Sequence, residues 1–221
     1  MTVQVIILAS MTLSSTRSPR RDAAENREAL LAAAKTVLNL DPAASMETIA
    51  AAAGLSRRSV YGHFANRDEL VLELVAAGSR RIAAALEGLT SPDPVLRLAL
   101  IASRLWREVE SVRVMAVIAV RGPLSSHSTA ALSTVRDEVR GAVAEGQAAG
   151  TIREDLPSEQ LARLVERSAL SVLEEAVQYR LPSSTGNELV VLMVLGAVGY
   201  GWREARAILD AHPELQWKGD E

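Results

Sequence analysis

Residues 57–63 place several groups suited to reading DNA within seven positions. An arginine donates two hydrogen bonds to O6 and N7 of guanine, and a glycine lets the chain approach a partner closely. With Leu55, Val60 and Phe64 turned inward, the following residues are predicted to face solvent or a partner: Arg57, Arg58, Ser59, Tyr61, Gly62 and His63. The alternative is an ordinary exposed helix that carries two charges.

The elements around this stretch follow the plan of a helix-turn-helix. Ser45 is a suitable N-cap for a short helix over Met46–Ala53, and Gly54 suits the left-handed position that ends it. Ser56 then caps a further helix over Arg57–Phe64. Two short helices joined by a glycine-containing turn predict a unit whose second helix enters the major groove of DNA.

The flanking segments also have helical periodicity. The apolar spacing from Leu30 to Leu38 predicts a first helix that stops before Asp41-Pro42. Asn66 is a suitable cap for a long helix, Arg67–Leu89, with one apolar stripe along about six turns.

This segment resembles the tetracycline-repressor-like (TetR) family of bacterial regulators. The resemblance covers roughly residues 26–75 and rests on four stretches: Ile49-Ala50, Ala53-Gly54-Leu55-Ser56, Val60-Tyr61-Gly62-His63-Phe64 and Asn66-Arg67-Asp68-Glu69-Leu70. The rest of the chain resembles the family only in helix count, length and the turn at 150–156. The resemblance implies that the N-terminal three helices bind operator DNA and that the C-terminal helices dimerise around an effector pocket.

The resemblance also implies roles for single residues. Tyr61 and His63 would contact backbone phosphate or base edges, and Arg67 would hold a phosphate at the positive N-terminal end of its helix. Ser45 and Thr48 would anchor the preceding helix to the DNA backbone. The complete set with an implied DNA contact is Ser45, Thr48, Arg57, Arg58, Ser59, Tyr61, Gly62, His63 and Arg67.

Two features depart from the family pattern. The loop at 41–44 lacks the glycine that is frequent after the first helix, and Glu47 brings a negative charge near the DNA. Glu47 indicates that its helix reads little sequence, unless the carboxylate accepts from a cytosine amino group. Three arginines before the first helix, Arg17, Arg20 and Arg21, either reach DNA or belong to a solvated tail.

Composition places the chain among globular, helix-rich proteins. Of 221 residues, 48% are hydrophobic, 23% are charged and only 3% are aromatic. There is no cysteine, which excludes disulfide scaffolds, thiolate metal sites and cysteine nucleophiles, and permits a reducing cytoplasm. The formal net charge of −3 is no obstacle to a local DNA-binding surface.

The remaining sequence predicts further helices separated by proline and glycine. We expect them at residues 95–110, 113–121, 129–149, 158–179 and 188–212, with no strand-like alternation. The prediction is therefore an all-α chain in three parts: a flexible leader over 1–20, a DNA-binding domain over 21–66, and a regulatory and dimerisation domain over 67–221. Residues 67–89 would link the last two.

An enzyme is not expected. The three histidines are far apart in sequence, and neither a nucleophile elbow nor a phosphate-binding loop occurs. No cofactor and no metal site are predicted. The glycines at 196, 199 and 201 are interpreted as positions of close helix packing.

The last two long helices are predicted to form a homodimer. The run Leu189–Trp202 is apolar almost all round, which indicates burial on more than one side. The residues assigned to the interface are Leu161, Val165, Val172, Ala176, Val194 and Val198. The alternative is a central helix in the core of a monomer.

An effector pocket is expected where the long helix meets the C-terminal helices, because a ligand there could change the spacing of two DNA-binding heads. Trp106, Met115 and Ile118 are its candidate apolar walls. His127, Arg167 and Glu174 are its candidate polar groups, and each of these residues could instead be ordinary core or surface. An apolar small molecule is the expected ligand.

These observations predict a cytoplasmic, DNA-binding repressor that an apolar effector releases from a palindromic operator. Two alternatives are a DNA-binding dimer without an effector and a helical module that no longer binds DNA. No membrane span is visible in the sequence. Met11 is a possible true start, and export is the less favoured interpretation of the uncharged leader.

Overall fold

The computed structural model describes residues 19–121 and 132–219, and every regular element within them is a helix. This agrees with the predicted all-α fold. The α-helices are α1 (Pro19–Leu40), α2 (Met46–Ala52), α3 (Arg57–His63), α4 (Arg67–Leu86), α5 (Pro94–Val109), α6 (Arg113–Arg121), α7 (Ser133–Ala148), α8 (Ser158–Gln178), α9 (Ser183–Ala197) and α10 (Trp202–Ala211). Short 3-10 turns follow α5 at Glu110–Val112 and α10 at Pro213–Leu215.

Side-chain caps fix where the first helices begin. Ser45 Oγ accepts from the Thr48 amide at 3.1 Å, and Ser56 Oγ accepts from the Ser59 amide at 3.2 Å. At α4, Asn66 Oδ1 accepts from the amide of Glu69 at 2.9 Å. Gly54, at φ +66°, takes the left-handed conformation predicted for the end of α2. The helix-turn-helix is therefore set largely by local chemistry.

Two hydrophobic cores divide the described chain. The first joins α1, α2, α3 and the first half of α4 around Leu30, Ile49, Phe64 and Leu70, all of which are buried. We call this unit the head. Its core extends beyond residue 66, the predicted domain boundary, since Val75 of α4 and Met115 of α6 are buried members of it.

The second core, which we call the body, is built by α5, α7, α8 and α9 with the end of α4. Within it, Asn187 of α9 is fully buried. Ser103 Oγ donates to its side-chain oxygen at 2.8 Å, and its amide nitrogen donates to the carbonyl of Leu215 at 2.7 Å. The second 3-10 turn is thereby tied into the body.

The predicted single helix over 188–212 is wrong. The structure has α9 and α10 there, separated at residues 198–201, and α9 begins earlier, at Ser183. Gly199 adopts φ +113°, a conformation that side chains with a Cβ rarely adopt and that cannot continue an α-helix. The glycines at 199 and 201 therefore break the helix instead of serving as packing positions within one.

Helix α1 begins at Pro19, a residue favoured in the first turn. Arg20 and Arg21 consequently belong to α1 and do not precede it, whereas Arg17 lies outside the described residues. None of the described helices has the length and hydropathy needed to cross a membrane.

Candidate DNA-binding surface and internal cavity

Helix α3 presents one face to the head core and the other to solvent. Val60 and Phe64 are buried, and Leu55 at the entry is partly buried, as the spacing predicts. Arg58 is exposed, and the Arg57 side chain is 73% exposed. The structure thus brings the predicted reading residues together on one accessible surface of a short, capped helix.

Glu47 of α2 contacts this surface, a connection that sequence reasoning missed. Its carboxylate lies 3.3 Å from Nε of Arg57 and accepts from the Tyr61 hydroxyl at 3.5 Å. The Arg57 guanidinium also stacks over the Tyr61 ring at 5.5 Å. Glu47 therefore offsets the charge of Arg57 and orients both α3 side chains, whereas Arg58 has no ion pair among the described residues.

Arg67 contacts the loop between α1 and α2. Its Nε donates to the carbonyl of Ala44 at 3.1 Å, and Nη2 donates to the carbonyl of Pro42. These bonds join the start of α4 to the loop that precedes the helix-turn-helix. Two of the guanidinium nitrogens are thus engaged within the head, and only its remaining donors are available for a phosphate.

Gly62 lies on the exposed side of α3, and a Cβ built there would meet no atom within 4 Å. The fold itself does not require glycine at this position. Ser45 and Thr48 are exposed at the start of α2 with their hydroxyls 3.0 Å apart, and His63 is partly exposed at the end of α3. Gly62 and His63 therefore belong to the same short helix as Arg57 and Arg58, and Ser45 and Thr48 lie at the start of the neighbouring α2.

A second feature is a partly open cavity of about 1220 Å³ where the head meets the body. Residues of α1, α4, α5, α6, α7, α8 and α9 line it, and most of them are apolar. This is the predicted location, between the distal part of α4 and the helices at 95–110, 113–121 and 158–179. The volume exceeds the range of about 300–1,000 Å³ that is usual for small-molecule pockets.

Trp106 is held rigidly in the cavity wall. Its indole nitrogen donates to the Ser183 carbonyl at 2.9 Å, and the Arg113 guanidinium stacks over the ring at 5.4 Å. A Cβ added to Gly186 would lie only 2.0 Å from the indole ring. The indole can occupy this position because α9 has glycine there.

The model of bacterial regulatory proteins of the tetR family matches residues 30–74, which include α2, α3 and the start of α4. Residues 30–74 therefore form a DNA-binding domain of the TetR family. Its members are DNA-binding transcriptional regulators without enzymatic activity, which confirms the prediction that this chain is not an enzyme.

Solved structures of TetR-like regulators share this fold. The MbdR regulator from Azoarcus sp. CIB superposes with a TM-score of 0.65 at 19% identity, over 76% of this chain and 97% of that one. FadR from Bacillus subtilis, solved with stearoyl-CoA, gives 0.63 at 17% identity over 76% and 97%. SmeT, the repressor of the Stenotrophomonas maltophilia multidrug efflux pump SmeDEF, gives 0.61 at 25% identity over 80% and 91%. No curated protein sequence matches the chain.

Within the TetR-like body, the predicted pocket residues divide into three groups. Trp106, Met115 and Arg167 line the cavity. Ile118 does not, because it lies on the side of α6 that packs against the head core, and Glu174 is also absent from the lining. His127 lies outside the described residues.

The predicted dimer residues are wrong as interface positions. All six of them pack into the core of their own protomer and have no surface to offer a partner: Leu161, Val165, Val172, Ala176, Val194 and Val198. The apolar stripe was identified correctly, but it faces inward. The exposed apolar residues of α8 and α9 are instead Leu164, 38% exposed, and Met193, 46% exposed.

Sequence reasoning also missed how closely the head adjoins the cavity. Leu31 and Lys35 of α1 line it directly. Asn39, one turn further along α1, donates to the Ser111 carbonyl at 3.3 Å and accepts from the Val114 amide at 3.0 Å. These two bonds join α1 to the 3-10 turn at Glu110–Val112 and to the first turn of α6, a helix that contributes to both cores. No local pattern indicates a contact across some seventy-five residues of chain.

Proposed function

We propose that this TetR-family regulator is a homodimeric repressor of the cytoplasm that binds a partly palindromic operator and leaves it when a small molecule fills the cavity. One observation carries the proposal: the cavity is lined both by α1 of the DNA-binding head and by the helices of the body. A ligand there contacts the two parts whose relative position would set the spacing of paired heads.

DNA reading is assigned to α3, with half-sites about one helical turn apart or slightly more. Arg58 is the leading base-reading residue because its charge is not engaged by Glu47. Arg57 would exchange Glu47 for a base or phosphate when DNA binds. Around them, Ser45, Thr48, Ser59, Tyr61, Gly62, His63 and Arg67 would contact the backbone or base edges.

The homodimer is assigned to the outward faces of α8 and α9. Leu164 and Met193 supply exposed apolar side chains, and Gly196 is exposed, with open space where a Cβ would stand. A glycine at an exposed position allows two helix pairs to approach closely there. The resulting interface would be apolar and as large as those of obligate homodimers.

Adjacent residues of α9 test this assignment. Met193→Arg should give a folded monomer with weakened operator binding, because the exposed side chain would meet the partner. Val194→Arg should unfold the protein, because it buries a charge in the body. Sedimentation together with circular dichroism distinguishes the two, and an unchanged dimer with Met193→Arg would move the interface elsewhere.

The effector assignment is supported by the cavity and by the ligand-bound relatives. FadR from Bacillus subtilis holds stearoyl-CoA, and RolR holds resorcinol, in the same overall fold. In this chain the cavity remains open between the head and the body. An effector-independent regulator would be expected to fill that space with side chains.

The experiment that tests the proposal is a fluorescence-anisotropy titration of DNA from the region upstream of the protein's own gene, at several salt concentrations. Binding should weaken steeply with salt, since arginine–phosphate contacts release counterions. Arg58→Ala should weaken binding, whereas Arg203→Ala, an exposed arginine of α10, should not. Equal binding by both variants, or no salt dependence, would overturn the assignment of α3.

A further inference from the structure

The cavity lining has an unequal charge. Six cationic side chains border it against two acidic ones, in a chain whose formal net charge is −3. The cationic residues are Lys35, Arg81, Arg136, Arg140, Arg163 and Arg167, and the acidic residues are Glu159 and Glu166. We infer that the effector is an amphiphile with a long apolar body and an anionic head group. This inference rests on the proposed function, because it names the ligand class of that cavity.

Four of the cations form one cluster where α7 meets α8. Arg136 of α7 holds Glu166 of α8 through three hydrogen bonds of 2.6–3.1 Å. The hydrogen bond to Glu166 raises the pKa of Arg136 above its ordinary value. Arg140 lies one turn from Arg136, and Arg163 and Arg167 lie beside Glu166 along α8. We call Arg136, Arg140, Arg163 and Arg167 the arginine cluster.

The cluster retains charge after its ion pairs are counted. Arg163 pairs with Glu159 at 3.0 Å, and Arg140 pairs with Asp137 at 2.9 Å. Arg167, which lines the cavity and is exposed, has no ion pair within the described parts of the chain. One guanidinium at the edge of the cavity is therefore available to an anion.

Solvent exposure makes this edge suitable for a charged head group. The side chains of Arg140 and Arg163 are 52% and 58% exposed. A carboxylate placed there keeps part of its hydration and gains a guanidinium partner, so it avoids the penalty of full burial. The cationic lining residues Lys35 and Arg81 lie on α1 and α4, outside this cluster, and Arg81 is bonded to Glu108 at 2.8 Å.

The interior of the cavity accepts only an apolar body. Leu98, Ile101 and Trp106 of α5 form one wall, and Leu173 and Val190 form part of another. The hydroxyl protons of the two serines in the lining are already donated to backbone carbonyls. Ser79 donates to the Val75 carbonyl at 2.9 Å, and Ser171 donates to the Arg167 carbonyl at 3.0 Å. A ligand body with hydrogen-bond acceptors would find no free hydroxyl donor here, so those acceptors would stay unpaired.

Calorimetric titration of the full chain with matched amphiphiles tests the inference. Dodecanoate and its coenzyme A thioester both carry an anionic head, 1-dodecanol is neutral, dodecyltrimethylammonium is cationic, and butanoate lacks the long body. The two anionic probes should bind, and dodecanol should bind at least about tenfold more weakly, the value of one charge-assisted hydrogen bond. Butanoate and the cation should give no measurable binding. A preference between the two anionic probes identifies the source of the head group.

Substitutions at the cluster assign the head group to its position. Arg167→Gln should weaken dodecanoate about tenfold and leave dodecanol unchanged, and Arg167→Lys should restore part of the loss. Arg203→Gln, an arginine on α10 that stacks on Trp202, is the matched control and should bind dodecanoate like the natural chain. Thermal melting of each variant establishes that it is folded.

Three results would overturn the inference: equal binding of dodecanoate and dodecanol, binding of the cation alone, or no binding of any long-chain probe. Operator titration without ligand keeps this outcome separate from the proposed function, since DNA binding by α3 does not depend on the ligand class. If the anionic probes bind but do not release DNA, the ligand class stands and the release mechanism fails.

Discussion

The head and the body of this regulator solve different packing problems. In the head, the core side chains Leu30, Leu38, Phe64 and Leu70 are fully or almost fully buried around short helices with side-chain caps. The body borders a partly open cavity of about 1220 Å³ where it meets the head. A DNA-reading surface needs fixed spacing, whereas a ligand site needs room, and the chain separates the two requirements into two cores.

The two regions nevertheless share elements. Helix α6 contributes Met115 to the head core and Ala116 to the cavity wall, and Asn39 holds the start of α6 against α1. The two cores therefore meet at α6 as well as along α4. Truncation of a core residue should therefore have different consequences in the two regions. The hydrogen bonds of Asn39 and the packing of α6 against the head, which we call the joint, should matter more for the coupling between ligand binding and operator binding than for stability.

The largest expected effect is on stability. It is measured by replacing one leucine with alanine in each of the two regions. Leu38→Ala in the head should cost about 2–5 kcal/mol, because the side chain is fully buried and leaves a void. Leu105→Ala in the cavity wall should cost clearly less, because that side chain already borders empty space. Urea denaturation monitored by circular dichroism measures both, and equal losses would mean that the cavity is filled in solution.

Removal of a reading arginine should affect only DNA binding. Arg58→Ala should cost about 1–3 kcal/mol of operator affinity and relax base preference at one position. Arg57→Ala should cost less, since DNA binding by Arg57 must first break its contact with Glu47. Anisotropy titrations against single-base operator variants measure this order. A larger loss with Arg57→Ala would indicate that the pair with Glu47 prearranges the base contact.

Asn39→Ala tests the joint. The substitution removes two hydrogen bonds, one to the 3-10 turn before α6 and one to α6 itself, so the free energy of unfolding should fall by about 1–2 kcal/mol. The effector-induced loss of operator affinity should shrink, because couplings of about 1–3 kcal/mol depend on such connections. Operator affinity measured with and without ligand gives the coupling. Thr36→Ala, an exposed substitution on the same helix, is the control and should leave the coupling intact.

The smallest effect separates stability from function within α3. Gly62→Ala should raise the free energy of unfolding by up to about 1 kcal/mol, since alanine favours helix and meets no neighbouring atom. Operator affinity should fall if the glycine serves close approach to DNA. Thermal melting and anisotropy on the same sample record the two opposite changes. An unchanged affinity would remove Gly62 from the DNA-binding surface.

Local chemistry explains why the head could be predicted from the sequence. The caps at Ser45, Ser56 and Asn66 and the left-handed Gly54 each depend on residues within three or four positions. Helical periodicity likewise located α4 to α8 to within a few residues, although not which way their apolar stripes face. That limitation explains the error at Val194, since a stripe along one helix fits a protomer core and an interface equally well.

Sequence reasoning could predict part of the cavity lining. Trp106 and Met115 were identified because a coupling argument fixes which helices must meet, and those helices do line the space. Lys35 and Asn39 were not identified, because their roles depend on α1 lying against α6 and the cavity. The break at Gly199 was missed because its apolar neighbours continue the helical pattern on both sides.

The membership of α6 in both cores bears on the construction of hybrid biosensors. Designers who join the DNA-binding part of one regulator to the sensing part of another need a cut that leaves both cores whole. A cut at residue 66 would leave Met115 and Ile118 in the sensing fragment facing a head of different shape. Transplanting α1–α3, which includes Asn39, together with residues 67–75 and the head-facing side of α6 keeps these contacts intact. The DNA-binding unit of this chain therefore includes segments that are distant in sequence. A hybrid with a single crossover point cannot transfer all of them.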